Sequence, residues 1–206
     1  MQFYQLKGYS LTVQSLQGGQ YKYKCTTSGI HLNFSHFLAT IVLGGKKHQF
    51  EIQHNLAVQS SHDKELFTTP DISIIRKGRA KTTKQYYDSG KTFSFVNNKD
   101  LMSFCEVKQF APYPELIFNF IGIVNELQKD ILFNLGAEHN PVHIAPSLLI
   151  SGKPNKQTER IKASLENRYC LNIVYDIFYS GASTFSRRNV NSFRTSGRLR
   201  KHTLST

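Results

Sequence analysis

An α/β fold is what the apolar patterning of this chain predicts. Two long stretches, PELIFNFIGIVNELQKDI and KQTERIKASLENRY, carry apolar residues at helical spacing. Short runs rich in β-branched and aromatic residues lie before, between and after them. At 206 residues with 39% hydrophobic content, the chain can close one well-buried core.

In chain order, residues 9–26 alternate loosely around Gly18-Gly19 and predict an N-terminal β-hairpin. NFSHFLATIV, from Asn33, predicts a helix on Phe34, Phe37, Leu38 and Ile41, closed by Gly44-Gly45. Strands are predicted at HQFEIQHNLAVQ, PDISIIRK and SFCEVKQF. The helix from Pro114 is the strongest element. Proline suits its first turn, and Leu116, Phe120, Ile123, Leu127 and Ile131 form one stripe. A strand at HIAPSLLI, a helix on Ile161, Leu165 and Tyr169, and a buried strand at LNIVYDIFY complete the order. Asp176, inside that last run, is either a site acid or the partner of a basic neighbour.

Charge narrows the partners. Lys and Arg number 26 against 14 Asp and Glu, a net charge of +12. Such a balance favours a polyanion, nucleic acid first and an anionic membrane second. The segment RKGRAKTTKQ leaves directly from the stretch that bears Asp71 and holds Arg76, Lys77, Arg79, Lys81 and Lys84 with no acid; with the aromatic-rich YYDSGKTFSF that follows, it suits phosphate contact and base stacking beside Asp71. Residues 181–206 carry six Lys or Arg, among them Arg187, Arg188 and Arg194, and no acid. They predict a basic tail, partly disordered when free, that grips phosphates. The plainer reading of both is a solvated loop and a solubilising terminus.

Other classes lack an anchor. Cys25, Cys105 and Cys170 have no pairing pattern, which fits a reducing, cytoplasmic setting. No leader pattern opens the chain, and no run approaches the roughly 18 to 20 apolar residues of a membrane span. His139 and His143 have zinc-helix spacing beside Glu138, but Pro141 lies between them and would break that helix. No phosphate-loop, dinucleotide or nucleophile-elbow motif is present.

Two short stretches carry the chemistry. TTPDISII puts Asp71 directly before an apolar run, and SFCEVKQF puts Glu106 and Lys108 two apart inside another. Residues i and i+2 of a strand share a face, so Glu106 and Lys108 project side by side. If the two strands pair, Asp71 joins them. Two carboxylates and an ammonium at one point can hold a divalent metal and position a water for attack on a phosphodiester. The plainer reading is a turn-capping aspartate and a surface Glu/Lys pair. Charge set inside apolar runs favours a site instead. Cys105 falls on the opposite face and is not read as a nucleophile.

Pro70-Asp71, a spacer, then Glu106-Val107-Lys108 resembles the PD-(D/E)xK nuclease superfamily, and the element order from 33 to 179 looks similar to its core. The resemblance implies a restriction-endonuclease-like domain over residues 1–180, a mixed sheet with helices on both faces. It implies Mg²⁺-dependent hydrolysis of DNA, with Mn²⁺ as a substitute. Asp71 and Glu106 would be the metal ligands, and Lys108 would orient or help deprotonate the water. The family often adds an acid, and Glu51 is the candidate, with Glu65 behind it. A spacer this long, with a basic insertion, departs from the usual pattern. Restriction-type enzymes often act as a homodimer, though no residue here marks a dimer face. The alternative is a basic nucleic-acid-binding protein on the same fold without catalysis.

Overall fold

The computed structural model describes residues 1–83, 90–132, 143–177, 186–187 and 189–195. The first elements are α1 (Gln2–Leu6), β1 (Ser10–Gln14), β2 (His36–Leu43), β3 (Lys46–His54) and β4 (Ala57–Gln59). Then come β5 (Phe67–Thr68), β6 (Ile72–Arg76), β7 (Lys81–Thr83), β8 (Phe93–Val96) and β9 (Leu101–Lys108). The chain continues with α2 (Pro114–Leu132), β10 (Ser147–Ile150), α3 (Lys156–Arg168) and β11 (Asn172–Val174). Seven strands form one mixed sheet in the order β1-β2-β3-β6-β9-β10-β11, and four form a smaller sheet, β5-β4-β8-β7. In the large sheet β10 runs parallel to β9 and β11, and the other pairs are antiparallel.

The helix expected from Asn33 is a strand, β2. Its residues Phe37, Ala39 and Ile41 pack on one cluster, the period-two pattern of a pleated surface. Gly44 and Gly45 both have positive φ, 54° and 74°, between the paired residues Leu43 and Lys46. A two-residue hairpin turn needs positive φ at both central positions, and glycine supplies it without strain. The pair joins two strands and closes no helix.

The expected hairpin over 9–26 forms only its turn, where Gln17 and Gln20 exchange backbone hydrogen bonds around Gly18-Gly19. β1 pairs with β2, so the chain after the turn is free to do something else. It lays Tyr21 on Phe37 and buries the Lys24 ammonium against the carbonyls of Thr26, Thr27 and Asn55. Burial lowers that ammonium to about 8.

One face of the large sheet presents Ile75, Phe104, Leu148, Ile150 and Ile173 to α2 and α3. On α2 the buried stripe is Leu116, Ile117, Phe120, Val124, Leu127 and Ile131, with Ile123 only partly covered. The smaller sheet abuts the same helix. Ser60 donates to Glu126 at 2.6 Å, and the Asn98 amide donates to the Leu127 carbonyl at 2.6 Å.

The opposite face holds Phe50, Ile52 and Ile74 under Phe3, Tyr4, Ile144 and Val190. Among the described residues, helical cover on this face is therefore α1 alone, because the other expected helix became β2. Part of the expected tail is docked as well. Val190 is buried, Arg194 meets Glu166 at 2.9 Å, and Thr195 bridges Ile144. Arg188 and residues 196–206 lie outside the described residues. Among the described residues of LNIVYDIFY, three form a strand, Asn172–Val174. Asp176 lies beyond them with φ of 58°, and its buried Oδ1 has no partner among the described residues. His139 also lies outside the described residues, while His143 is buried beside Tyr4. Among the described residues, no helix is long and apolar enough to cross a membrane.

Phe104 is fully buried, 5.9 Å from Phe120 between ring centroids. Phe104→Ala is expected to cost about 3–5 kcal/mol, read from urea or guanidinium unfolding. A loss under about 1 kcal/mol would mean that α2 does not clamp β9 through this contact.

Candidate active site

β6 and β9 run antiparallel, with Ile72 opposite Cys105. Asp71, one residue before β6, therefore comes level with the C-terminal end of β9. Its Oδ2 accepts the Val107 N–H at 2.7 Å and the Lys108 Nζ at 3.1 Å. Lys108 also donates to Glu106 Oε2 at 2.7 Å. One ammonium thus joins both carboxylates, and Asp71, Glu106 and Lys108 converge. The Asp71 carbonyl accepts the Asn55 N–H at 3.1 Å, which ties the turn after β3 to the same corner.

Burial grades the three groups. The Glu106 side chain is 7% exposed, Lys108 29% and Asp71 34%, so the cluster opens outward on the Asp71 side. Phe104 shares Glu106's face two residues back on β9, and Leu148 of β10 lies opposite it. Burial pushes the Glu106 carboxyl above its ordinary range. Asp71 adds to this, and the Lys108 hydrogen bond opposes it. Burial alone would lower Lys108, but Glu106 and Asp71 together outweigh it and raise the ammonium. Cys105 faces away into the sheet's other side, and burial pushes its thiol up to about 12, so it is no nucleophile at neutral pH.

The oxygen-only donor set suits Mg²⁺, which is held by one or two carboxylates with substrate phosphates and water. Asp71 and Glu106 are both within hydrogen-bond reach of a single nitrogen, so they can turn to one cation. Among the described residues, no group of three or more His, Cys, Asp or Glu gathers as a metal cluster.

Glu51 does not complete the trio. It sits on the same face but pairs with Ile75, four strand residues along from Asp71, about 13 Å at strand rise. Its oxygens accept the Gly78 N–H and the Gln53 amide, at 2.8 and 2.9 Å. Glu51 anchors the turn after β6 instead. Glu65 is exposed in the β4–β5 connection. Gln53 and Ser73 pair across β3 and β6 between Glu51 and Asp71, both buried, and the Ser73 Oγ has no partner among the described residues. Glu51 and Gln53 stand two apart on β3 and share a face by strand period alone, but their alignment with Ser73 of β6 arises only when the strands pair.

The basic loop lies at the wrong end for the site. β6 carries the chain five residues from Asp71 to Arg76, about 16 Å. There Arg76 and Arg79 both approach Asp100, at 3.9 Å, and Lys77 donates to Gln49. Lys81 is exposed on β7, and Lys84 lies outside the described residues. Arg187 is exposed, and Arg194 is occupied by Glu166. Nearer the site stand Lys153 and Lys156, both exposed, in the turn that follows β10 and opens α3. The Lys108 carbonyl accepts the Ser151 N–H at 2.9 Å, which ties this turn to the end of β9.

No family model, curated protein or solved structure matches this chain.

Lys108→Met leaves two carboxylates facing each other without their cation. A raised carboxylate contributes stability that is full below its ordinary range and lost as pH rises through the folded value. Removing the ammonium raises Glu106 further and deepens that loss. The variant is expected to be about 1–3 kcal/mol less stable than wild type near pH 8, and close to it near pH 4. Urea unfolding at both pH values measures this. A pH-independent difference would show that packing, not charge, is what Lys108 supplies.

Proposed function

We propose that this protein is a Mg²⁺-dependent nuclease of the restriction-endonuclease-like type that hydrolyses DNA phosphodiester bonds at Asp71, Glu106 and Lys108. The observation that carries this reading is the convergence of the three side chains from two strands, Asp71 and Glu106 both bonded to Lys108. The strand order supports it. An antiparallel run β3-β6-β9 is followed by a helical crossover, α2, into β10 parallel to β9. The site then lies at the end of the sheet that β9, β10 and β11 reach with their carboxyl ends, where open α/β sheets place ligands. The net charge of +12 favours a polyanionic substrate. The free thiols of Cys25 and Cys105 suit a reducing, cytoplasmic setting.

Asp71 and Glu106 would hold the cation, Mg²⁺ or Mn²⁺, which when bound lowers the pKa of a water and polarises a phosphoryl oxygen. Lys108, bonded to both carboxylates, would orient the water and stabilise charge on the phosphate. The Val107 N–H fixes Asp71 through its Oδ2. In the reaction the water oxygen bonds to phosphorus and gives up a proton, one ester P–O bond breaks, and the departing oxygen takes up a proton in return.

Wild-type protein is expected to cleave DNA with Mg²⁺ and to stop with chelator. Asp71→Ala or Glu106→Ala should lower single-turnover cleavage by roughly 100-fold or more while leaving DNA affinity near wild type. Wild-type rates in either variant would remove the catalytic assignment and favour a protein that only binds DNA.

The distance from Asp71 to Arg76 separates binding from rate. Neutralising Arg76, Lys77, Arg79 and Lys81 should weaken affinity for all sequences. The slope of log affinity against log salt should flatten by about 0.9 for each phosphate that is no longer neutralised. The rate at saturating DNA should stay within about twofold, since none of the four reaches the cut. A large drop in that saturated rate would place the loop at the scissile phosphate after all.

A further inference from the structure

The segment after Lys108 carries an exposed aromatic pair that the catalytic trio does not use. The Phe110 and Tyr113 rings stack with centroids 6.0 Å apart and planes 28° from parallel. Phe110 is 44% exposed and Tyr113 46%, so part of each side chain meets solvent. Large exposed aromatic surface at a fixed place marks a contact site.

The pair is held rigidly. Tyr113 lies between Pro112, which is buried, and Pro114, the first residue of α2. The proline rings fix φ on either side and restrict Tyr113 to extended backbone. The Phe110 carbonyl accepts the Gly152 N–H at 3.2 Å. A Cβ on Gly152 would come within 2.6 Å of the Ala111 Cα and the Phe110 oxygen, so only glycine allows this approach. Phe110 follows Lys108 by two residues, which limits its Cα to about 7 Å from the site's lysine. Lys153 and Lys156 leave the neighbouring turn, exposed.

We propose that Phe110 and Tyr113 form a stacking platform for an unpaired base beside the cut, so that the preferred substrate is DNA single-stranded at the cleavage point. The position of the cut rests on the nuclease reading above. A base pair inside a duplex buries both its faces against its neighbours, and only an unstacked base offers one to an aromatic ring. Preordered rings bind such a base with little entropy loss. Lys153 and Lys156 provide the matching contact to the phosphates on either side. The platform thereby selects substrate by strandedness and not by sequence.

The test uses the full chain in two arms. In chelator, the protein is titrated against a single-stranded oligonucleotide bearing 2-aminopurine and against a blunt duplex. Stacking is expected to quench the fluorescent base. Phe110→Ala/Tyr113→Ala should lose the quench and bind the single strand at least about fivefold more weakly, with duplex affinity unchanged. Tyr113→Phe, which keeps the ring, should behave as wild type. So should Val42→Ala, an exposed apolar residue near the β2–β3 turn. In Mg²⁺, cleavage of the single strand and of a forked duplex should exceed that of the blunt duplex. A double variant that binds the single strand as wild type does, or a wild type that prefers blunt duplex, overturns the platform. Quenching without cleavage would sustain the platform and remove the nuclease reading. Cleavage of blunt duplex alone would sustain the nuclease reading and remove the platform.

Discussion

The Lys108 ammonium held between Asp71 and Glu106 is the contact on which the rest of this structure turns. It exists because β6 and β9 pair in one register, with Ile72 opposite Cys105. A one-residue slip would send Glu106 and Lys108 to the other face of the sheet and strand them among Phe50, Ile52 and Ile74. The packing that fixes this register is Phe104 against Phe120 and Ile75 against the α2 side. Polar and apolar parts of β9 are therefore not separable. The same strand that buries Phe104 delivers Glu106 and Lys108 to one end of the sheet. Burial of Glu106 is costly, and the charged hydrogen bond from Lys108 offsets only part of that cost, which leaves the carboxyl raised.

The two ends of the large sheet have different characters. At one end, the carboxyl ends of β9, β10 and β11 meet the first turns of α2 and α3, with the acidic pair, Lys108, and the exposed Phe110 and Tyr113. At the other, Arg76 and Arg79 crowd Asp100 at the start of β9. A strand of five residues separates these ends. The acidic pair with Lys108 and the Arg76–Arg79 pair thus fall at different ends of the sheet, joined by rigid backbone.

Between the ends runs a polar row, Glu51, Gln53 and Ser73, on the face that otherwise packs against helices and the smaller sheet. Glu51 and Gln53 satisfy each other, and Glu51 also caps the N–H of Gly78, whose φ of 71° makes the turn out of β6. The row holds the loop geometry that lets β7 leave the large sheet and join the smaller one. Its charge serves structure, and the metal-capable oxygens are left to Asp71 and Glu106.

Some of this was legible in the residues alone. α2 and α3 show as stripes because helical spacing is local, and β6 and β9 show as short apolar runs bounded by turn residues. Glu106 and Lys108 could be placed side by side because period two is a property of any strand, and the opposite orientation of Cys105 follows from the same rule. The residues around Phe37 misled because Phe34, Phe37, Leu38 and Ile41 fit a helix as well as Phe37, Ala39 and Ile41 fit a strand. Only pairing with β1 and β3 decides between them. Glycines 44 and 45 suit either a helix stop or a hairpin, and the partner strand again decides. Chain distance placed Arg76 near Asp71, but an extended strand points it away, and strand direction is invisible until the sheet is assembled. The convergence of Asp71 with Lys108, the approach of Gly152 to Phe110 and the docking of Val190 all join residues far apart in the chain. Those contacts are set by β-pairing and core packing, which no local pattern encodes.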